Sequence, residues 1–372
     1  MANVNDIYAI VNEAAAQSMG TKAIAAIDLQ TFLSLGNDVL SSQTDTDNFY
    51  GALVQRISKT IFANRPYKSD FSSVIRRDET EWGQVVQKIS IDIEQAQTDG
   101  SLVLTEGQSV DMYKVHKATV KQKLFKKSSA YELQMTYQRQ WLKQAFTSPA
   151  AMGSFIATIA QRVTDTQTLA EENLTQLAID NLCAELDDNA TRQIKVLTDF
   201  NAAFGQELTA ATALYNGDFL KYVSAQIDLY TRRMRRMAKM YNDGSIARHT
   251  PEDYQLLFIS SELDTNLRVF GYSSTYNADY MKLPKYTVMP YWQDPKSPNA
   301  INVNRASDGT ATSITNQLCL IADYDALGTY RHDLRTYTTP FNSKGEYYNQ
   351  FIKAEDMYFN DLSENAISFV LE

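Results

Sequence analysis

The chain has 372 residues, a formal net charge of -9, 44% hydrophobic residues and 21% charged residues. That length suits two or three domains or one elaborate one, and the composition supports a packed core rather than wholesale disorder. The acidic balance argues against a protein coated in nucleic acid and leaves room for a local basic face.

Residues 1 to about 65 are expected to be helical. In "DIYAIVNEAAAQSM", Ile7, Ile10, Val11 and Ala14 share one face. In "DNFYGALVQRISKTIF", Phe49, Leu53, Ile57 and Ile61 recur at helical spacing, with Asp47 as N-cap and Pro66 ending the run. The polar "SSQTDTD" between the two reads as a loop.

From residue 66 to about 137 the period changes to two. "KISIDIEQ" alternates Ile89, Ile91 and Ile93 against Lys88, Ser90, Asp92 and Glu94, and "AYELQMTY" alternates Tyr131, Leu133, Met135 and Tyr137 against polar neighbours. Turns are expected at Gly100 and Gly107. The charges are sorted: Asp92, Glu94, Asp99, Glu106 and Asp111 on the outgoing arm, then Lys114, Lys117, Lys121, Lys123, Lys126 and Lys127 on the return. Opposite charges on facing strands stabilise a pair, so a long two-armed excursion projecting from the core is expected.

A long helix follows. Ser148 is an N-cap and Pro149 takes the first helical position. Met152, Ile156, Ile159, Val163, Ala170, Leu174, Leu177 and Leu182 keep a helical stripe through Leu186, with a possible break at "TDTQT". Beyond residue 189, helix and strand alternate. "YQLLFIS", "YTVMPYW" and "QLCLIADY" are strand candidates, and "ELDTNLRVFG" is a short helix closed by Gly271. "QDPKSPNAINVNRASDGTATS" reads as a polar loop, and the terminal "AISFVL" as a strand docked into a sheet.

"YTRRMRRMAKMYNDG" is the strongest local charge feature. Leu220, Val223, Ile227, Tyr230, Met234, Met237 and Tyr241 form one helical seam, with Arg232, Arg235, Arg236 and Lys239 facing away and Arg233 on the flank. A solvated face, an acidic protein neighbour and nucleic acid all fit, although no aromatics interleave with the arginines on the outer face as in a single-strand reader.

Sites for chemistry are sparse. His116, His249 and His332 are scattered, and no zinc, P-loop, dinucleotide or nucleophile-elbow motif occurs. "TDTD" lacks the glycine and glutamate of a calcium loop. Cys183 and Cys319 build neither a disulfide framework nor a zinc site. No cofactor and no metal are expected. The N-terminal stretch lacks the apolar core of a signal peptide, and no apolar run approaches the ~20 residues of a membrane span.

The order of parts carries a resemblance. "NFYGALVQRISKTIFANRPY" precedes the hairpin, "SPAAMGSFIATIAQRVTDTQTLAEENL" forms the spine, and "LCLIADYDALGTYRHDLRTYTTPFN" leads to "NAISFVLE". This resembles the major capsid proteins of tailed bacteriophages, with the HK97-like fold, and among them those of short-tailed podoviruses. The resemblance implies an α+β chain with five parts. These are an N-terminal helical arm at 1–65, an extended loop hairpin at 66–137, a spine helix at 138–188, an axial domain at 189–340, and return strands at 341–372 completing a peripheral domain.

It further implies self-assembly, in pentamers and hexamers, into an icosahedral shell around a double-stranded DNA genome. Expected partners are copies of the chain, a separate scaffolding protein, a portal and, without sequence specificity, the packaged DNA; no membrane is expected. The place of action is the virion capsid, after synthesis in the host cytoplasm. Asp92, Glu94, Lys114, Lys117, Lys121 and Lys123 are expected at subunit interfaces through the hairpin, and Arg235, Arg236 and Lys239 through the axial lobe. A non-viral shell protein (an encapsulin), another phage component such as a portal, and an enzyme with a site around His249 or His332 remain open alternatives.

Overall fold

A computed structural model describes residues 4–20, 25–59, 71, 74–77, 86–92, 105–107, 113, 115, 120–125, 128–187, 189–271 and 283–372. The chain divides into two compact units. The first comprises Met1–Glu81, Ser128–Asn173 and Tyr330–Met357; the second comprises Trp82–Lys127, Leu174–Thr329 and Tyr358–Glu372.

The first unit opens with helices α1 (Val4–Met19), α2 (Leu29–Ser41) and α3 (Gln43–Lys59). Ile7, Val11, Ala14 and Ala15 of α1 are buried, as their spacing requires. The side chain of Asn12 grips Ala26, donating to its carbonyl at 2.9 Å and accepting from its N–H at 2.6 Å. Asp28 caps α2 by accepting from Thr31 N–H at 2.7 Å, while Thr31 Oγ1 accepts from Asp28 N–H at 3.0 Å.

The α2 helix falls within the stretch expected to be helical, although no pattern of its own was named there, and the expected "SSQTDTD" loop shrinks to a single break. The chain breaks only at Ser42, and α3 begins at Gln43, so Asp47 is not its N-cap. Thr46 Oγ1 donates to Val39 O and Ser42 O, both at 2.8 Å, which ties the two helices at the break. Asp47 instead accepts from Tyr348 OH at 2.5 Å. Phe49 and Leu53 are buried as expected; the Ile57 side chain and Ile61 lie outside the described residues.

The sheet of this unit has the order β1 (Ile75–Arg77), β11 (Leu327–Thr338), β12 (Tyr347–Asn360), β4 (Ser128–Gln138). Met135 and Tyr137 of β4 point into the core, opposite Gln350 and Tyr348 of antiparallel β12. Tyr50 stacks on Tyr348 with ring centroids 4.4 Å apart. Phe146, just after α4 (Arg139–Ala145), packs against Phe32 and Phe49.

Helix α5 (Pro149–Leu186) has 38 residues, roughly 57 Å at the usual rise, and no break at "TDTQT". Thr166 and Thr168 donate to Arg162 O and Thr164 O at 2.8 and 2.9 Å, so these weak helix formers find partners inside the helix. Ser148 Oγ accepts from Ala151 N–H at 3.2 Å, as a cap before Pro149 should.

The second unit is built on a sheet of order β5 (Gln193–Lys195), β13 (Ala366–Val370), β10 (Gln317–Asp323), β6 (Gln255–Ser260), β7 (Thr287–Met289). Every residue of β10 and of β13 is buried, which explains their nearly unbroken apolar runs. Around the sheet lie α6 (Val196–Phe204), α7 (Ala210–Ala213), α8 (Gly217–Met234) and α9 (Ser261–Asn266). The "ELDTNLRVFG" helix ends as a single π turn, Leu267–Gly271. The polar stretch after Trp292 contains a small hairpin, β8 (Ile301–Asn304) with β9 (Ala311–Ile314), turning through Gly309 at φ 76.

The five expected parts therefore redistribute. Segment 66–137 divides: β4 joins the first unit and the hairpin β2 (Val86–Ile91) with β3 (Val120–Phe125) joins the second. The return segment divides too. β12 pairs with β4, whereas β13 sits between β5 and β10 in the second unit's sheet.

Candidate functional site

Hairpin β2–β3 is antiparallel, with Lys88 opposite Lys123, Ser90 opposite Lys121 and Ile91 opposite Val120. Directly opposed residues share a face. The face bearing Lys88, Ser90, Lys121 and Lys123 is partly buried, and the face bearing Ile89, Ile91, Val120 and Leu124 is exposed. This inverts the usual sense of an alternating strand.

The inward lysines are held within the same unit. Lys88 Nζ lies 2.8 Å from Asp361 Oδ2 and 2.6 Å from Glu364 Oε1. Lys123 Nζ lies 2.8 Å from Asp361 Oδ1 and 3.6 Å from Asp243 Oδ2. Lys121 Nζ donates to Ser245 O at 3.0 Å. Arg248 Nη2 donates to Ser90 Oγ at 2.6 Å and pairs with Glu364 at 3.2 Å. Phe125 adds a ring contact to Phe359 at 5.1 Å between centroids.

Two like charges directly opposite on a hairpin repel. Here a single enclosed carboxylate, Asp361, accepts from both. Asp361 also accepts from Ser363 N–H at 3.0 Å and Ser363 Oγ at 2.7 Å. Burial alone would raise its pKa, but Lys88 and Lys123 outweigh burial and hold it at about 2. Glu364 is raised by burial against the pull of Lys88 and Arg248. Asp323 is raised by burial although Thr250 Oγ1 donates to it at 2.6 Å.

The acids of the expected pairing, Asp92 to Asp111, all lie beyond β2, so the register of β2 and β3 does not bear on it. Lys121 and Lys123, expected to reach a neighbour, are engaged by Ser245, Asp361 and Asp243 of their own chain. Asp92 is half-buried, with Oδ1 enclosed and lacking a hydrogen-bond partner among the described residues. Glu94, Lys114 and Lys117, like His116, lie outside the described residues. The reading missed Lys88, Arg248, Asp243, Asp361 and Glu364. Only the alternation around Lys88 signalled any of them, and alternation does not say which face turns inward.

The basic stretch is also corrected. Phe219, Leu220, Val223, Ile227 and Met234 of α8 are buried, but the helix stops at Met234. Thr250 N–H donates to Met234 O at 2.8 Å, and Gln255 Nε2 donates to Thr231 O at 3.0 Å, so partners from the following segment take the last carbonyls. Met237 is 43% exposed and leaves the seam; Tyr241 is buried, but by the returning chain rather than by helical period. Arg232 pairs with Asp228 at 2.9 Å, Arg233 lies over the Tyr230 ring at 5.3 Å, and Arg235 pairs with Glu252. Arg236 and Lys239 are exposed, with no ion pair among the described residues.

Beside this clamp of Lys88 and Lys123 on Asp361, an open cavity of about 340 Å³ is lined by Ile91, Met237, Arg248, His249, Tyr254 and Glu364, among others. Arg248 and Glu364 are already spent on each other and on the hairpin. His249 lines it together with Asp323, Asp325 and Glu364, and the His332 side chain lies outside the described residues. Among the described residues no group of three His, Cys, Asp or Glu could hold a metal ion, and no helix is long and apolar enough to cross a membrane. The arrangement suits mechanical seating of a hairpin.

A family model described as Phi29-like phage major capsid protein matches residues 7–370. No curated protein matches the chain. Among solved structures, a chain in the capsid structure of Staphylococcus phage Andhra is similar with a TM-score of 0.56 and 9% identity, over 84% of this chain and 87% of that one. A chain in the structure described as head fiber and inner core protein gp22 of native bacteriophage P68 is similar with a TM-score of 0.54 and 11% identity, again over 84% and 87%. At such identities the likeness is one of fold, here the HK97-like capsid fold.

Proposed function

The chain belongs to the Phi29-like phage major capsid protein family, and on that premise we propose how it builds a shell. As a major capsid protein its place is the capsid of the virion, and its main partner is itself. In the proposal, copies associate as pentamers and hexamers into a closed icosahedral shell around double-stranded DNA. A separate scaffolding protein directs assembly, a portal occupies one vertex, and synthesis takes place in the host cytoplasm. The match of the family model over residues 7–370 carries this reading.

The clamp suggests a division of labour among charges. Lys88 and Lys123 converge on Asp361 and fix the hairpin before any neighbour arrives. Arg236 and Lys239, which form no ion pair among the described residues, follow the end of α8 and meet acidic groups of an adjoining subunit, flanked by Arg235 on Glu252 of its own chain. Each exposed pair is worth little, about 0–1 kcal/mol, so repetition over a shell supplies the strength.

Negative-stain microscopy of the purified chain, alone and co-expressed with a scaffolding protein, tests the reading. Closed shells are expected, and reversal of Arg236 and Lys239 to Glu should lower the salt concentration at which they fall apart. Isolated rings would point to a portal, and a chain that stays monomeric in both settings would contradict the proposal.

A further inference from the structure

We propose that the cavity beside the clamp is a binding site for a small aliphatic polyamine. Its volume of about 340 Å³ falls at the lower end of the roughly 300–1,000 Å³ typical of small-molecule sites. Every residue that lines it belongs to the second unit, so a single chain builds it.

The polar wall favours a cation. Asp323, Asp325 and Glu364 supply carboxylates, against Arg248 and His249 as the basic side chains. Arg248 is engaged by Glu364 at 3.2 Å and by Ser90 Oγ at 2.6 Å, so its charge is already answered. Glu364 is 6% exposed, and its contacts with Lys88 and Arg248 both reach Oε1. Its Oε2 carries no hydrogen bond among the described residues, and an enclosed carboxylate oxygen without a donor is costly to keep. Asp323, also buried, has one donor on each oxygen, Asp325 N–H at 2.8 Å and Thr250 Oγ1 at 2.6 Å, where a carboxylate has room for about four. Burial outweighs the nearby cations and raises the pKa of both groups, so further positive charge is welcome there.

The remaining walls say which cation. The acids do not gather into a group that could hold a metal ion among the described residues. Ile91, Met237 and Pro251 add apolar surface, and the Tyr254 ring is 56% exposed. Methylenes pack on such walls, and an ammonium is drawn to the face of a tyrosine. The carboxylates also stand at two levels, Asp325 exposed and Asp323 and Glu364 buried. Ammonium groups separated by methylenes match acids separated along an apolar wall, whereas a compact inorganic ion matches neither the spacing nor the wall.

Calorimetric titration of putrescine into the full-length, unassembled chain at about 0.15 M salt tests it. Saturable binding at one site per chain is expected. Asp325→Asn should weaken it roughly tenfold, the loss of one charge-assisted hydrogen bond. Met237→Lys, which brings its own ammonium to the wall, should abolish it while the unfolding temperature stays at the wild-type value. Asp325 is exposed, so its variant decides alone should Met237→Lys fold poorly. Binding that never saturates, or that is unchanged by Asp325→Asn, would overturn the site. So would equal competition by magnesium ions, the mark of a diffuse ion atmosphere. Equal affinity for N-acetyl-lysine methylamide would assign the cavity to a lysine side chain of another protein and overturn the polyamine. Assembly plays no part in these readouts, so their failure leaves the shell reading intact.

Discussion

Replacing Asp361 by Asn should release the hairpin without unfolding the sheet beneath it. The Asp361 side chain is fully enclosed and is the shared partner of Lys88 and Lys123, each at 2.8 Å. Removing one side of a buried ion pair costs about 3–5 kcal/mol, because the other side stays buried and uncompensated. The lower end applies here: Lys123 is 41% exposed and can turn to water, and Lys88 keeps Glu364 at 2.6 Å. Asparagine preserves shape and still accepts from Ser363, so the loss is one of charge. At about 3 kcal/mol, local opening of β2 and β3 becomes roughly 150-fold more frequent. Native-state hydrogen exchange reads this directly. Amides of 86–91 and 120–125 should exchange about two orders of magnitude faster, while those of β10 and β13 hold their protection. Unchanged protection in the hairpin, or an equal loss throughout the unit, would refute the clamp.

Acid should act in the same direction. Asp361 is depressed from 3.8 to about 2, so its contribution is complete above the unfolded value and is lost as pH falls from about 4 towards 2; hairpin protection should follow that window. Asp180, buried in α5 and raised to about 8 by burial, has the opposite sign. It binds a proton in the folded state that it has lost when unfolded, so it lowers stability as pH rises from about 4 to 8. Asp180→Asn should therefore stabilise the chain by roughly 2–4 kcal/mol near neutrality and flatten the pH dependence of thermal unfolding. Gly36 faces the Phe146 ring so closely that an added Cβ would sit 2.8 Å from Cδ1. Gly36→Ala should destabilise by about 1–3 kcal/mol despite its better helix propensity, and a gain in unfolding temperature would contradict the close approach.

The parts legible in the sequence were those whose pattern is set locally. The stripe from Met152 to Leu182 and the Ser148–Pro149 start gave α5 its two ends, and the apolar runs gave β6, β10 and β13. What failed was decided by tertiary partners. Helix α2 keeps Phe32, Leu35 and Val39 on one face, but Gly36, Asn37 and Asp38 interrupt it with weak helix formers, and packing against Phe146 is what favours the glycine. The end of α8 depends on Thr250 and Gln255 of the following segment, which take over its last carbonyls through a turn that helical period does not mark. The facing of the hairpin was hidden for the same reason: period two marks two faces, and partners far along the chain, Asp361 and Glu364 with Asp243, Ser245 and Arg248, decide that lysine turns inward.

The most direct test of the account is a reconstruction of assembled shells at side-chain detail. The account predicts Lys88 and Lys123 on Asp361 of the same chain, with Arg236 and Lys239 meeting acids of a neighbouring copy. Lys88 and Lys123 paired instead with acids of a neighbour, or Arg236 and Lys239 left facing solvent in the closed shell, would contradict it.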